Sequence, residues 1–185
     1  IMKKILIFAS GSGTNAENII KYFGDRSTGT VVAVFSNNSK ATVLDKAKKL
    51  AVPTVIFSKE ELNSGNTLQK VKDFQPDLIV LAGFLLKFPE NLIEAYPNRI
   101  INIHPALLPK YGGKGMYGMH IHHAVVENKE KETGITIHFV NENYDEGNII
   151  FQKQVLLAAT DYPEHVAEKI HELEQEFFPL VIEKL

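Results

Sequence analysis

The segment KILIFASGSGTNA (Lys4–Ala16) predicts the first strand–turn–helix unit of the fold. Its apolar run over Lys4–Ala9 is typical of a buried strand, and the pattern over Asn15–Phe23 is typical of a helix. Between them lies Ser10–Asn15, which we call the glycine loop. Its two glycines permit a tight turn and a close approach to a ligand. Because the N–H groups at the start of a helix attract anions, the expected ligand is a phosphate.

The glycine loop matches the G-x-G-x-x-A pattern of dinucleotide-binding turns, but that match alone is weak. A dinucleotide site also needs an acidic residue after the second strand, where this chain has Ser36, Asn37 and Asn38. No G-K-[ST] follows, so the loop is not a Walker A motif. A phosphomonoester is therefore favoured over NAD. The alternative is a structural turn with Thr14 or Asn15 as the helix N-cap.

Short apolar runs alternate with helical patterns through the first two thirds of the chain. This order predicts an α/β fold with a doubly wound, mostly parallel sheet flanked by helices, and an antiparallel strand near the C-terminal part. Pro179 is expected to kink or interrupt the last helix. The predicted strands are Lys4–Ala9, Val31–Ser36, Thr54–Phe57, Leu78–Leu81, Ile100–His104, Gly134–Val140 and Asn148–Leu156. The predicted helices are Asn15–Phe23, Thr42–Leu50, Thr67–Phe74, Glu90–Tyr96, Ile121–Asn128 and Tyr162–Leu185.

The composition is that of an ordinary globular protein. The 185 residues are 44% hydrophobic and 23% charged, with a formal net charge of −2. That charge does not indicate a basic surface for binding nucleic acid. No apolar run approaches the roughly 20 residues of a membrane helix. Without cysteine there is no thiolate nucleophile and no disulfide. We expect one domain over residues 1–185, a cytoplasmic location, no signal peptide and no membrane partner.

The strand Ile100–His104 carries two polar residues of catalytic type. Alternation places Asn102 and His104 on the same face, and Pro105 then ends the strand. An amide and an imidazole that emerge together at a strand end suit the stabilisation of an oxyanion, as in acyl or formyl transfer. The alternative is a histidine that only caps the strand.

An acidic loop, Asn141–Gly147, joins the last two predicted strands. Such loops are usually only solvated. Asp145 gains a role if the fold brings it to His104, where it could favour the imidazolium or move a proton through water. Glu142 and Glu146 are its rivals.

A glycine-rich segment, Gly112–Gly118, precedes three histidines at the start of a predicted helix. We call this segment the flap and expect it to order when substrate binds. His120, His122 and His123 lack an acidic residue at helical spacing, so a metal site is disfavoured. Two of these side chains near a phosphate is the better functional hypothesis.

Three motifs together resemble the folate-dependent formyltransferases: Ser10–Asn15, Asp77–Phe84 and Asn102–Pro109. The resemblance continues in order along nearly the whole chain, through His138–Val140, Asp145–Gly147 and Glu174 ahead of Phe178–Ile182. It implies an enzyme of purine biosynthesis with a Rossmann-like formyltransferase fold. The implied reaction moves the formyl group of 10-formyltetrahydrofolate, a cosubstrate, to the amino group of 5'-phosphoribosylglycinamide through a tetrahedral oxyanion. One departure is Leu86, where the family often has arginine.

The resemblance also implies a role for each motif. The catalytic residues would be Asn102, His104 and Asp145, with His104 protonated. The ribonucleotide would bind Gly13, Thr14, Asn15, His120, His122 and Glu174. The folate would contact Leu85, Leu86, Lys87, Phe88, Asn102 and Asn141. No metal is implied, the partners are small molecules, and the chain is a monomer or homodimer. The alternatives are a formyltetrahydrofolate hydrolase and a non-catalytic module that binds nucleotide phosphate.

Overall fold

The computed structural model describes residues 2–185, and the chain divides into two compact units. The first unit runs to Ile101 and includes Leu185, and the second unit is Asn102–Lys184. Strand β5 (Ile100–His104) contains the boundary between them. Within residues 2–185, no helix is both long and apolar enough to cross a membrane.

The first unit alternates strands and helices around parallel strands in the order β3-β2-β1-β4. Strand β5 starts beside β4, where the Ile79 N–H donates to the Arg99 carbonyl over 2.8 Å. The parallel arrangement of these strands agrees with the β-α alternation of the sequence, although α3 and α4 follow one another without a strand between them. The elements are β1 (Lys3–Phe8), α1 (Thr14–Gly24), β2 (Gly29–Ser36), α2 (Thr42–Lys49), β3 (Thr54–Ile56), α3 (Lys59–Ser64), α4 (Asn66–Phe74), β4 (Leu78–Leu81) and α5 (Glu90–Ala95).

Aromatic rings form the core of the first unit at the carboxyl end of β1. The Phe8 ring lies 5.2 Å from Phe35, 5.6 Å from Phe57, 5.4 Å from Phe84 and 5.0 Å from Phe88, measured between centroids. Such pairs add about 0.5–1.5 kcal/mol each beyond the area they bury. The segment that follows β4 is thus anchored to β1 through its phenylalanines.

The second unit contains the end of β5 and four further elements. They are α6 (Met119–Glu127), β6 (Glu132–Phe139), β7 (Ile149–Leu156) and α7 (Pro163–Lys184). Strands β6 and β7 are antiparallel, and α7 packs against both. Gly134 permits the close pairing, because an added Cβ there would fall on the Lys153 carbonyl.

The predicted fold class is confirmed: parallel strands flanked by helices, with antiparallel strands near the C-terminal part. Three details differ. The sequence patterns missed α3, and the helix cap before α1 is Gly13 rather than Thr14 or Asn15. Helix α7 continues through Pro179 without interruption, because buried Phe178, Val181 and Ile182 hold its last turns in the core. A single domain over residues 1–185 stays a prediction.

Candidate functional site

A cluster of four polar side chains, Asn102, His104, His138 and Asp145, lies within the second unit. We call it the His–Asp cluster. One carboxylate oxygen, Asp145 Oδ1, lies 3.6 Å from His104 Nδ1 and 3.6 Å from His138 Nε2. The amide nitrogen of Asn102 lies 3.2 Å from the same His138 Nε2. Strand β5 supplies the first two residues, the end of β6 supplies His138, and the loop after β6 supplies Asp145.

The backbone partners of the two imidazoles fix their tautomers. His104 Nε2 is 2.7 Å from the Tyr111 carbonyl oxygen, so this nitrogen carries a proton and donates it. His138 Nδ1 likewise donates to the Phe139 carbonyl over 2.9 Å. In neutral His138, Nε2 is therefore an acceptor, and it takes one of the two N–H groups of Asn102. The second N–H of Asn102 stays available to a substrate oxygen.

Burial controls the charges of the cluster. Burial lowers the pKa of His104 below its ordinary value, against the opposing effects of the Asp145 carboxylate and the Tyr111 carbonyl. A protonated His104 stays a prediction, because burial of the imidazole disfavours the charge that the Asp145 carboxylate favours. Burial raises the pKa of Asp145, but its contacts with His138, His104 and the Gly113 N–H outweigh burial and hold it below the ordinary value. The ionised form of Asp145 is thus favoured, beside an imidazole whose charged form is disfavoured by burial.

The flap and the residue before it close over the cluster through their main chain. The Gly113 N–H donates to Asp145 Oδ2 over 3.0 Å, and the Tyr111 carbonyl accepts from His104. Tyr111 and Asp145 both adopt left-handed backbone, with φ of 58° and 55°. This conformation is costly for residues other than glycine and is typical of functional sites.

The glycine loop, in the first unit, packs closely against the start of α2. Gly13 has φ of 72°, and a Cβ added there would fall on Val43. The Val43 N–H donates to the Gly11 carbonyl over 3.1 Å, which ties the loop to the start of α2. Thr14 is exposed and Asn15 is half-buried at the first turn of α1. This arrangement leaves a helix start facing solvent, as a phosphate site requires.

The predicted folate segment, Leu85–Phe88, follows directly after β4 in the same unit. Leu85 is 59% exposed, Lys87 is exposed and Leu86 is half-buried. Phe88 is buried, and its ring packs edge-on against Phe8. The segment therefore offers a ligand its main chain and the side chains before Phe88.

The remaining predicted residues of the second unit have diverse surroundings. His120 is exposed with its ring 5.2 Å from Tyr117, whereas His122 is buried and its Nδ1 has no hydrogen-bond partner within the described chain. Burial, with the nearby His123, lowers the pKa of His122. Among residues 2–185, no group of three or more His, Asp or Glu side chains is arranged to hold a metal ion.

The acidic loop and helix α7 contain the other predicted residues. Asn141 is half-buried and its side-chain oxygen accepts from the Asn143 N–H over 2.9 Å, while Glu174 is half-buried on α7. The rivals of Asp145, Glu142 and Glu146, are exposed. His138 was missed by the sequence analysis as part of the cluster. Its signal was a histidine inside an apolar strand that runs directly into the acidic loop.

Known proteins are similar to this chain over nearly its whole length. A family model described as Formyl transferase matches residues 3–182. A chloroplastic phosphoribosylglycinamide formyltransferase of Arabidopsis thaliana is 37% identical over 187 residues, covering 97% of this chain and 64% of that relative. The phosphoribosylglycinamide formyltransferase of Escherichia coli is 34% identical over 184 residues, covering 96% and 84% respectively.

A solved structure of a formyltransferase is similar to this chain in both sequence and fold. The crystal structure of phosphoribosylglycinamide formyltransferase from Bacillus halodurans is 34% identical, covers 98% of this chain and 94% of its own, and has a TM-score of 0.88. This chain spans less than two thirds of the length of the Arabidopsis relative, of which it covers 64%. Because the family model extends over nearly all of it, this chain belongs to the formyl transferase family.

Proposed function

We propose that this chain transfers the formyl group of 10-formyltetrahydrofolate to the amino group of 5'-phosphoribosylglycinamide. The observation that carries the proposal is the His–Asp cluster. A carboxylate, an imidazole whose Nε2 faces a carbonyl oxygen as a donor, and an amide with one spare N–H meet at the end of β5. Formyl transfer needs two donors for an oxyanion and a route for one proton, and this set contains them.

The first step is attack by the substrate amine. Its lone pair forms a bond to the formyl carbon, and the carbonyl electron pair moves onto oxygen to give a tetrahedral oxyanion. The spare N–H of Asn102 and the Nε2–H of His104 donate to this oxygen. In the free chain the Tyr111 carbonyl oxygen accepts from that same Nε2. The formyl oxygen therefore replaces the Tyr111 carbonyl oxygen as the acceptor.

The second step returns the electron pair to the carbonyl and breaks the bond to folate nitrogen N10. The attacking nitrogen loses a proton and N10 gains one, so the step is balanced without a metal or a redox partner. Asp145, as a carboxylate, moves that proton through water. No covalent enzyme intermediate is needed, and the chain has no cysteine to form one on a thiolate.

The binding roles form the remaining part of the proposal. The phosphate binds Gly13, Thr14 and Asn15, because the glycine loop presents the start of α1. The folate contacts Leu85, Leu86, Lys87 and the main chain of Phe88, together with Asn102 and Asn141. Glu174 accepts from the ribose hydroxyls, and His120 and His122 serve the ribonucleotide phosphate. We also propose a cytoplasmic location and small-molecule partners only, for a monomer or a homodimer.

The test is formyl transfer with the purified chain, followed through the change in folate absorbance. We expect turnover that depends on phosphoribosylglycinamide and gives formylated product in equal amount. Formate release without the acceptor would instead identify a hydrolase. Binding of the ribonucleotide without any folate-dependent turnover would identify a non-catalytic phosphate-binding module, and either result would overturn the proposal.

A further inference from the structure

Ser10 makes hydrogen bonds to two different segments of the first unit. Its side chain is almost fully buried at the end of β1, where the glycine loop begins. The hydroxyl donates to Asn37 Oδ1 over 2.7 Å and accepts from the Leu85 N–H over 3.0 Å. The Ser10 N–H also donates to the Gly83 carbonyl over 3.1 Å. One residue therefore joins the glycine loop to the segment after β4.

Under the proposed function, these two segments bind different substrates. The glycine loop binds the phosphate of the ribonucleotide, and Leu85–Phe88 contacts the folate. Leu85 is one of the two exposed residues of that segment, and its N–H donates to the Ser10 hydroxyl. A displacement of the glycine loop thus moves the acceptor that positions Leu85.

We infer that Ser10 is a positioning residue that couples the binding of the two substrates. This inference rests on the proposed function. When the ribonucleotide orders the glycine loop, Ser10 orders Leu85 as well, and the folate then binds to a segment that is already in place. Two ligands that order the same elements bind with positive cooperativity, and the effect is reciprocal.

Asn37 fixes the orientation of the Ser10 hydroxyl. A serine hydroxyl has one proton, and here that proton goes to Asn37 Oδ1. The oxygen lone pairs are therefore free to accept from Leu85, and a rotation of the Ser10 side chain about χ1 would break both bonds together. Because Ser10 is buried, no water replaces the lost partner, so the alternative arrangements are unfavourable.

The experiment measures the linkage between the two ligands by titration calorimetry. The probes are phosphoribosylglycinamide and 5-formyltetrahydrofolate, a folate whose formyl group is on N5 and not on the N10 from which the proposed reaction transfers it. The linkage factor is the folate dissociation constant without ribonucleotide divided by the constant at saturating ribonucleotide. We expect a factor of about 10 for the parent chain, within the usual range for coupled sites. For Ser10→Ala we expect a factor below about 2, because both side-chain bonds are lost.

Ser36→Ala is the matched control. Ser36 is also a buried serine, but its hydroxyl contacts only the backbone of Asn38, donating to the carbonyl over 3.4 Å and accepting from the N–H over 3.2 Å. Its substitution removes a comparable bond and leaves the tie to Leu85 in place. We expect a similar loss of melting temperature with an unchanged linkage factor.

Two variants of Asn37 test the hydrogen bond between Ser10 and Asn37 without substituting a residue of the glycine loop. Asn37→Asp keeps an acceptor for the Ser10 hydroxyl and should retain the linkage factor. Asn37→Ala removes the acceptor and should lower the factor toward that of Ser10→Ala. These variants keep the test decisive if Ser10→Ala does not fold, since Asn37 is only half-buried.

The outcomes separate this inference from the proposed function. If the parent chain binds neither probe, the proposed function fails and the inference fails with it. If the parent chain binds both probes without linkage, or if Ser10→Ala and Asn37→Ala retain the full factor, the coupling role alone is overturned. Loss of the factor in Ser36→Ala would assign the effect to general destabilisation and would also overturn it.

Discussion

Asn102→Ala is the sharpest test of the His–Asp cluster. In the proposed reaction, Asn102 gives one N–H to His138 and the other to the oxyanion. Removal of one such donor typically lowers kcat by about 10²–10³-fold, or about 2.7–4 kcal/mol of transition-state stabilisation. We therefore expect a loss of that size in kcat, with a smaller change in KM, because the oxyanion exists only after binding.

The cost to folding is much smaller and can be separated. Asn102 is half-buried and its side chain makes one hydrogen bond, to His138 Nε2 at 3.2 Å. Loss of one such bond lowers the free energy of unfolding by about 1 kcal/mol. For a chain of this size, that corresponds to a fall of about 2–4 °C in melting temperature.

The assay is steady-state formyl transfer, with thermal unfolding measured on the same samples. Asn102→Asp is a second variant of nearly the same shape. It places a carboxylate where the oxyanion forms, so we expect a larger loss than for alanine. Asn63→Ala is the matched control, because Asn63 is exposed and its amide only donates to the Lys59 carbonyl. A kcat of Asn102→Ala within tenfold of the parent value would refute the oxyanion role.

Three further predictions concern stability and proton transfer. Gly13→Ala should lower the free energy of unfolding, measured by urea denaturation, by about 2–4 kcal/mol, because the left-handed backbone is strained and the new Cβ collides with Val43. Gly11→Ala is the control: its Cβ meets nothing within 4 Å, so the free energy of unfolding should hardly change. Since folding lowers the pKa of His104, the unfolded chain binds more protons, and melting temperature should fall as pH drops below about 6.5. His104→Gln should flatten that fall in calorimetry, and an equally steep fall would contradict the assignment. Asp145→Asn should lower kcat by at least about 10²-fold in stopped assays, as loss of a proton carrier does.

Local sequence patterns predicted most of the elements because apolar spacing encodes them directly. The β-branched run of Ile100–His104 gave β5 with its observed bounds. Helix α3 escaped because it has six residues and only Leu62 is buried, so no apolar stripe marks it. The readable signal there was the capping box, in which Ser58 and Glu61 each bond the other's backbone.

The His–Asp cluster required information that no local pattern contains. Alternation along β5 placed Asn102 and His104 on one face, but the approach of Asp145 depends on where β6 ends and how the acidic loop turns. A left-handed backbone at Asp145 and a hydrogen bond from Gly113 aim its carboxylate. Both are tertiary features, so the local pattern left Glu142 and Glu146 as rivals, and only the family resemblance assigned the role to Asp145. In the structure, Glu142 and Glu146 are both exposed, which excludes them from the buried cluster.

The burial of His104, which disfavours the imidazolium at rest, suits the proposed chemistry. In the free chain, Nε2–H donates to Tyr111, and Nδ1 presents a lone pair toward the Asp145 carboxylate at 3.6 Å. This arrangement is unfavourable for a neutral ring, and it becomes favourable while Nδ1 holds the proton that the attacking amine loses and N10 later gains. A developing oxyanion at Nε2 raises the proton affinity of the ring, so the ion pair with Asp145 strengthens as the transition state forms. An interaction that is stronger in the transition state than in the ground state accelerates the reaction. An imidazolium already formed at rest would have given that stabilisation to the ground state as well.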